Sequence, residues 1–383
     1  MGYQGTRSRD CAMTISFILV PLTSLLVFLR ARRLKLTGIA PLTSLRAFAA
    51  VIVFALHFTE GYRNEHPGFL SGFIHSGFEG VNIFFVLSGF LLTLVMLRDL
   101  KMHEFDVRRY FVRRAARIYP LYYALLFIVY LIVPSRTRWQ DWLLIQGFFP
   151  SAIFSGITTA WTLTVEECFY VLLPLVVWSC VKFRWPIALT VWSIGLLVIG
   201  IIVTGLNIPD VLGSPEYAWS ISIFGRFPIF AVGIACAFLY QHRKQWPIAL
   251  LVGSAAILFA VMCGTALEVS TPQYRLSDLL TALAVGGIVL GLASENRLTR
   301  FLGNRYFVYL GMISYALYLI QLTPLMAWVR DLVHSVPDLA MAYAIATLFS
   351  MAFYDLVERP ARIFILKHFS QVGSKQRLLL PVK

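Results

Sequence analysis

Charge is what this sequence has least of. Asp, Glu, Lys and Arg make up 14% of its 383 residues, against about 25% in an ordinary soluble domain. That is too little to wet the surface of a soluble globule of this length. The 58% hydrophobic content excludes a disordered chain as well. Acidic residues are the scarcer sign, with 19 Asp and Glu against 33 Lys and Arg and a net charge of +14. Cysteine is sparse too. Cys11, Cys168, Cys180, Cys236 and Cys263 show no CxxC or paired spacing, and four of them lie in apolar runs. They read as small buried hydrophobes, which excludes a disulfide framework and gives no metal site.

What the chain has in abundance is long apolar runs. A helix needs about 20 mostly apolar residues to cross a bilayer. Such runs fall at roughly 40–58, 80–97, 118–134, 161–181, 186–204, 218–240, 247–264, 277–293, 306–326 and 339–356. The expected fold is all-α: a polytopic membrane protein, a bundle of about ten transmembrane helices with a candidate additional N-terminal helix. The chain divides into an N-terminal segment 1–39, a membrane domain 40–362 and a basic tail 363–383. The apolar stretch 12–29, followed by Arg30, Arg32 and Arg33, reads as an eleventh helix, an uncleaved signal-anchor or translated upstream sequence.

In a soluble protein a charge of +14 would suggest nucleic acid. The loops give another reading. With the 98–117 connection placed in the cytoplasm, 24 of the 33 basic residues fall in inward loops. Only Arg63, Arg136, Arg138, Arg275 and Arg330 fall in outward ones. This is the positive-inside pattern. It makes the lipid bilayer the partner and leaves no role for nucleic acid. It also implies a multi-pass protein of the cell (inner) membrane whose core termini are cytoplasmic.

Ionisable groups inside spans are costly and need a reason. Arg46 and His57 are 11 residues apart in the first core helix. That is close to three turns, so they share a face at a separation of roughly 16 Å. Singly, each could be interfacial; together they lean toward a lined cavity. A neutral imidazole suits removal of an alcohol proton. In the dense basic segment 98–117, Arg114 and Arg117 share a helix face, as do Arg113 and Arg117. Guanidinium forks suit phosphate, although topology and anionic headgroups explain the cluster more readily from charge alone. Glu166 and Glu167 open the fourth span near the outer side. They are read either as a capping box with Thr164 or as a partner for His57. Ser88-Gly89 in the second span reads as a close helix contact in preference to a nucleophile.

These residues together resemble acyltransferase family 3, the integral-membrane O-acyltransferases of bacterial surface polysaccharides and related small molecules. The resemblance runs over about 40–362. It rests on Leu45 to Ala49 (LRAFA) with His57, on Gly80 to Phe90 (GVNIFFVLSGF), on Arg114 to Pro120 (RAARIYP) and on Trp161 to Tyr170 (WTLTVEECFY). Weaker matches lie at Arg226 to Phe230, Ser314 to Leu319 and Glu358 to Pro360. Two positions depart from the pattern. Asn82 stands where an aspartate is usual, and Gln321 where a histidine is usual.

The resemblance implies a mechanism. The donor is acyl-CoA, acetyl-CoA foremost, as a co-substrate with no bound cofactor. Arg114 and Arg117 hold its phosphates, and the thioester arm follows the face of Arg46. His57 deprotonates the acceptor hydroxyl or carries the acyl group transiently, and Glu166 or Glu167 orients it. Asn82, Ser88, Arg226 and Tyr315 line the substrate cavity. The acceptor is a saccharide, either a surface polysaccharide or a lipid-linked glycan. No hydrolase-like soluble domain is expected after the tenth helix. The alternatives are a glycolipid or small-molecule transporter or flippase, and an O-acyltransferase acting on a small secondary metabolite.

Overall fold

In a computed structural model of the chain, the described residues are 3–34, 36, 38–267 and 274–369, without the side chains of 3–17, 274–276 and 336. The side chains of Cys11 and Arg275 and the tail beyond Phe369 therefore lie outside the described residues. Every regular element among the described residues is helical. The chain begins with α1 (Tyr3–Arg32) and α2 (Ala40–Phe58). After two short helices come α3 (Glu79–Lys101) and α4 (Val107–Ile132). Then follow α5 (Trp161–Lys182), α6 (Trp185–Gly205), α7 (Ile223–His242), α8 (Ile248–Leu267) and α9 (Tyr274–Leu292). The last are α10 (Arg305–Ile320), α11 (Pro324–Arg330), α12 (Val336–Phe353) and α13 (Arg359–Phe369).

Each of the ten apolar runs is helical, and eight helical spans among the described residues are long and apolar enough to cross a membrane. The other two runs differ from the expectation. The apolar part of α9 is short, Ser277–Leu292, and the run 306–326 is broken: α10 and α11 meet at 94°. The break has a local cause. Pro324 has no N–H for the carbonyl of Ile320, and the Thr323 hydroxyl donates to that carbonyl instead, at 2.7 Å. Non-helical backbone at membrane depth persists only where protein satisfies it. Here Thr159 Oγ1 donates to the Tyr318 carbonyl (3.1 Å) and Arg136 to the Leu322 carbonyl (3.1 Å).

Those two donors come from the 134–160 connection, which folds into the bundle. Its anchor is Asp141, fully buried. The Ser155 hydroxyl donates to one carboxylate oxygen and the Arg138 N–H to the other, both at 2.7 Å. Burial nevertheless pushes this carboxyl above its ordinary range. The stretch 12–29 lies within α1. Val27 and Ala31 of α1 pack on Tyr309, Ile313 and Met351, and Arg30 pairs with Asp355 at 3.0 Å.

Small residues set the closest helix contacts. A Cβ on Gly89 would overlap the Phe230 carbonyl, so α3 and α7 touch backbone to backbone. A Cβ on Gly311 would overlap the Thr43 carbonyl, and Ser44 Oγ donates to the Leu302 carbonyl at 2.6 Å. These contacts pack the start of α2 against α10 and the short helix before it.

Candidate functional site

Three arginines converge on one cavity. Arg46 of α2 and Arg114 and Arg117 of α4 line an empty volume of about 710 Å³ together with Ser88, Glu166 and Tyr315. Asp106 starts α4 by accepting the Arg109 N–H at 3.0 Å, a side-chain cap. The helix then carries Arg114 and Arg117, one turn apart, on the cavity face. The Arg114 guanidinium lies over the Tyr170 ring at 5.8 Å, and its Nε is buried with no hydrogen-bond partner. Ser88 Oγ donates to Glu166 Oε1 at 2.8 Å. Tyr315 lines the cavity while its hydroxyl donates to the Ile118 carbonyl at 2.9 Å. A second pocket of about 410 Å³ shares Leu92 and Arg114 with the first and is bordered by Arg109 and Arg113. It opens at the basic end of the bundle, where the α3–α4 connection lies.

The charges in this lining do not balance. Glu166 is the one carboxylate against the three guanidiniums among the described lining residues. Unmatched positive charge away from water is costly, so the cavity suits an anion. Guanidinium forks favour phosphate oxygens over a spherical ion.

His57 shares the Arg46 helix face by spacing but does not line this cavity. Its Nδ1 is buried with no hydrogen-bond partner. The groups acting on it are Gln321, Arg63 and Arg330. Gln321 is 1% exposed and lies beside the imidazole, and neither its amide oxygen nor its amide nitrogen makes a well-formed hydrogen bond. Tyr318, one turn before Gln321 on α10, lines the cavity and meets the Phe84 ring edge-on, with centroids 5.8 Å apart. Phe84 lines the cavity as well. The Tyr318 hydroxyl is in turn held at 3.0 Å from Thr162 Oγ1.

Several expectations for individual residues need correction. Neither glutamate meets His57. Glu166 is engaged by Ser88, and Glu167 accepts from the Tyr119 hydroxyl at 3.2 Å. The capping box also fails to form. A 3₁₀ turn, Thr158–Ala160, precedes α5, so Thr164 sits in the second turn. There its hydroxyl donates to the Leu144 carbonyl at 3.0 Å and accepts the Gly147 N–H at 3.2 Å. Because the 134–160 connection folds inward, α5 starts inside the bundle. Glu166 consequently faces Arg46 instead of the surface.

Asn82 and Arg226 were expected in the substrate cavity; they lie outside its lining. They form a separate cluster between α3, α7 and α9. Asn82 Nδ2 donates to Glu79 Oε2 (2.6 Å) and to Asp278 Oδ1 (2.8 Å). Arg226 donates to Asp278 Oδ2 (2.9 Å), to the Ser220 carbonyl (2.6 Å) and to Asn82 Oδ1 (3.3 Å). The carboxylate missing at position 82 is thus supplied to Arg226 by Asp278. Asp278 was overlooked although an acid inside an apolar run is itself the signal. Gln321 was visible as a departure from the family pattern. Tyr318 carried no such mark, since an aromatic in a span is ordinary.

Comparison with known proteins gives a family model described as an acyltransferase domain, which matches residues 40–357. The acyltransferase MdmB of Streptomyces mycarofaciens is 28% identical over 329 residues, 75% of this chain and 79% of that protein. A Staphylococcus aureus (strain COL) protein assigned as an O-acetyltransferase is 23% identical over 329 residues, 74% of this chain and 50% of its own length. The chain thus spans about half of that relative. An uncharacterised Haemophilus influenzae protein is 26% identical over 212 residues, 48% of this chain and 86% of its own. No solved structure matches.

Proposed function

The chain belongs to this acyltransferase-domain family, and from that premise we propose that it moves an acyl group from acyl-CoA to a hydroxyl of an exported or lipid-linked saccharide. It is a membrane enzyme that transfers acyl groups other than aminoacyl groups. The transporter alternative is set aside on the same ground. Acetyl-CoA is the foremost donor in this reading, and the basic end of the bundle faces the cytoplasm of the inner membrane.

One observation carries the proposal: Arg46, Arg114 and Arg117 converge on a cavity with a single carboxylate. The donor enters at the basic end, and Arg114 and Arg117 hold its phosphates by charge-assisted hydrogen bonds. The pantetheine arm runs past Arg46 and Ser88 toward the Phe84–Tyr318 pair. The acceptor arrives from the opposite end, where His57 lies. His57 removes the hydroxyl proton. The alkoxide oxygen attacks the thioester carbonyl, the C–S bond breaks, and the new ester leaves with the acceptor. The imidazolium returns its proton to the coenzyme A thiolate. Gln321, with its amide free and beside the ring, takes the orienting role first assigned to Glu166 or Glu167.

Mass spectrometry of surface glycans from a deletion strain tests the reading. Loss of an O-acyl group, restored by the intact gene, supports it. Surface and lipid-linked glycans with unchanged O-acylation would overturn the saccharide acceptor.

A further inference from the structure

A fourth guanidinium, Arg362, stands two residues beyond the weak match at Glu358 to Pro360, on a helix packed against α4 and outside the lining of either pocket. α12 passes into α13 through a π-helical turn, Tyr354–Glu358. Such a turn takes up one extra residue and rotates the side chains that follow it. Glu358 closes the turn, 3% exposed, and Arg362 stands four residues on, on the same face of α13. α13 packs along α4. The charges that act on Arg362 are those of Arg117, Arg114 and Glu358.

The expected pair between Glu358 and Arg362 is not made. Glu358 Oε2 and Arg362 Nε are both buried without a hydrogen-bond partner, as is Arg114 Nε. Around Arg46, Arg114, Arg117 and Arg362 the acidic groups among the described residues are Glu166, Glu167 and Glu358, so guanidiniums outnumber carboxylates there. Like charges held close at low dielectric repel strongly, so the arrangement is completed by an anion. A phosphate ester fits the planar forks. It could come from a lipid headgroup or from the donor. Ile363 and Phe364, the two residues that follow Arg362, are exposed. Arg362 itself is part-buried, and its helix packs along α4, which carries Arg114 and Arg117.

We infer that Arg362, with Arg114 and Arg117, forms a three-arginine site for the phosphate groups of the coenzyme A donor. The inference rests on the proposed function, and the test separates the two. The purified full chain in lipid nanodiscs is assayed for transfer from acetyl-CoA and from acetyl-pantetheine, which lacks the phosphates. Arg362→Ala raises KM for acetyl-CoA roughly tenfold or more, the loss expected for one charge-assisted hydrogen bond, with kcat little changed and acetyl-pantetheine use unaffected. Arg362→Lys recovers only part of the loss, because it restores charge without the fork. Arg362→Gln serves the same purpose if the alanine variant fails to fold. Arg359→Ala, at an exposed neighbour, leaves KM unchanged.

An equal loss with both donors makes Arg362 a structural residue and overturns the inference. A defect that disappears in nanodiscs without anionic lipid assigns the site to headgroups and also overturns it. A wild-type chain that uses neither donor defeats the proposed function instead.

Discussion

The arginines of the cavity and Arg226 meet their neighbours in opposite ways. Arg226 donates to a carboxylate, an amide and a backbone carbonyl, and its partners Asn82 and Asp278 are bonded to each other. Arg226 is thus engaged across α3, α7 and α9, and the unpartnered atom of this cluster is an acceptor, Glu79 Oε1, not a guanidinium nitrogen. The cavity leaves Arg114 Nε without a partner and sets three guanidiniums against one carboxylate. Both groups put charge where water is scarce. A satisfied guanidinium fixes how helices sit against one another. An unsatisfied one keeps its hydrogen-bonding capacity for something that enters. Burial of a charged residue in a span is therefore a weak guide to function, and the state of its partners is a better one.

Four predictions press on this contrast. The largest effect is expected away from both groups, at the end of the path. His57→Ala should lower acyl transfer by about 10²–10⁴-fold, the usual contribution of a general base, with membrane insertion and protein level normal. Full activity in the variant would remove His57 from the mechanism.

Next come the two kinds of arginine. Asp278→Asn leaves Arg226 without its carboxylate and should cost about 3–5 kcal/mol of stability. Restoring a carboxylate with Asn82→Asp in the same chain should return much of the lost thermal stability, and donor KM should hardly move in the double variant. If the double variant is no more stable than Asp278→Asn alone, the cluster is not the closed ion pair described. Arg114→Ala with Arg117→Ala should do the reverse. Each lost charge-assisted bond is worth about 1.5–3 kcal/mol, so KM for acyl-CoA should rise by roughly two orders of magnitude or more, while thermal stability holds or improves. Unchanged donor dependence would take the phosphate-binding role from both residues. The smallest effect belongs to Ser88→Ala. It removes one hydrogen bond to Glu166, worth about 1 kcal/mol. Turnover should fall only about fivefold; complete loss would point to covalent chemistry at the Ser88 hydroxyl.

Much of this was legible before any tertiary contact was known. The helices were, because an apolar run of span length has few alternatives. That Arg46, Arg114, Arg117 and Glu166 are costly charges in or beside spans was also readable. The pairing of those residues was not. Glu166 was assigned to His57 because a straight α5 starting at the outer surface would put them at one depth. The inward fold of 134–160, anchored on Asp141, moves the start of α5 and gives Glu166 to Ser88. Arg226 and Asn82 were drawn into the substrate cavity because both lie in stretches that carry the family resemblance. Asp278, 52 positions further along the chain than Arg226, closes the pair. Separations of that kind are set by which helices become neighbours, and helix periodicity carries no information about them.

By itself, the sequence determined that this chain is a membrane bundle of helices with a basic end, because apolar length and loop charge are local properties. It also determined the family, since the motifs keep their order and spacing along the chain. The tertiary structure alone decided which charges are spent on one another and which stay open. That is a matter of distance between helices. Neutralising a guanidinium requires a carboxylate within a few ångströms, and only packing brings Asp278 to Arg226 while leaving Arg114 and Arg362 without one.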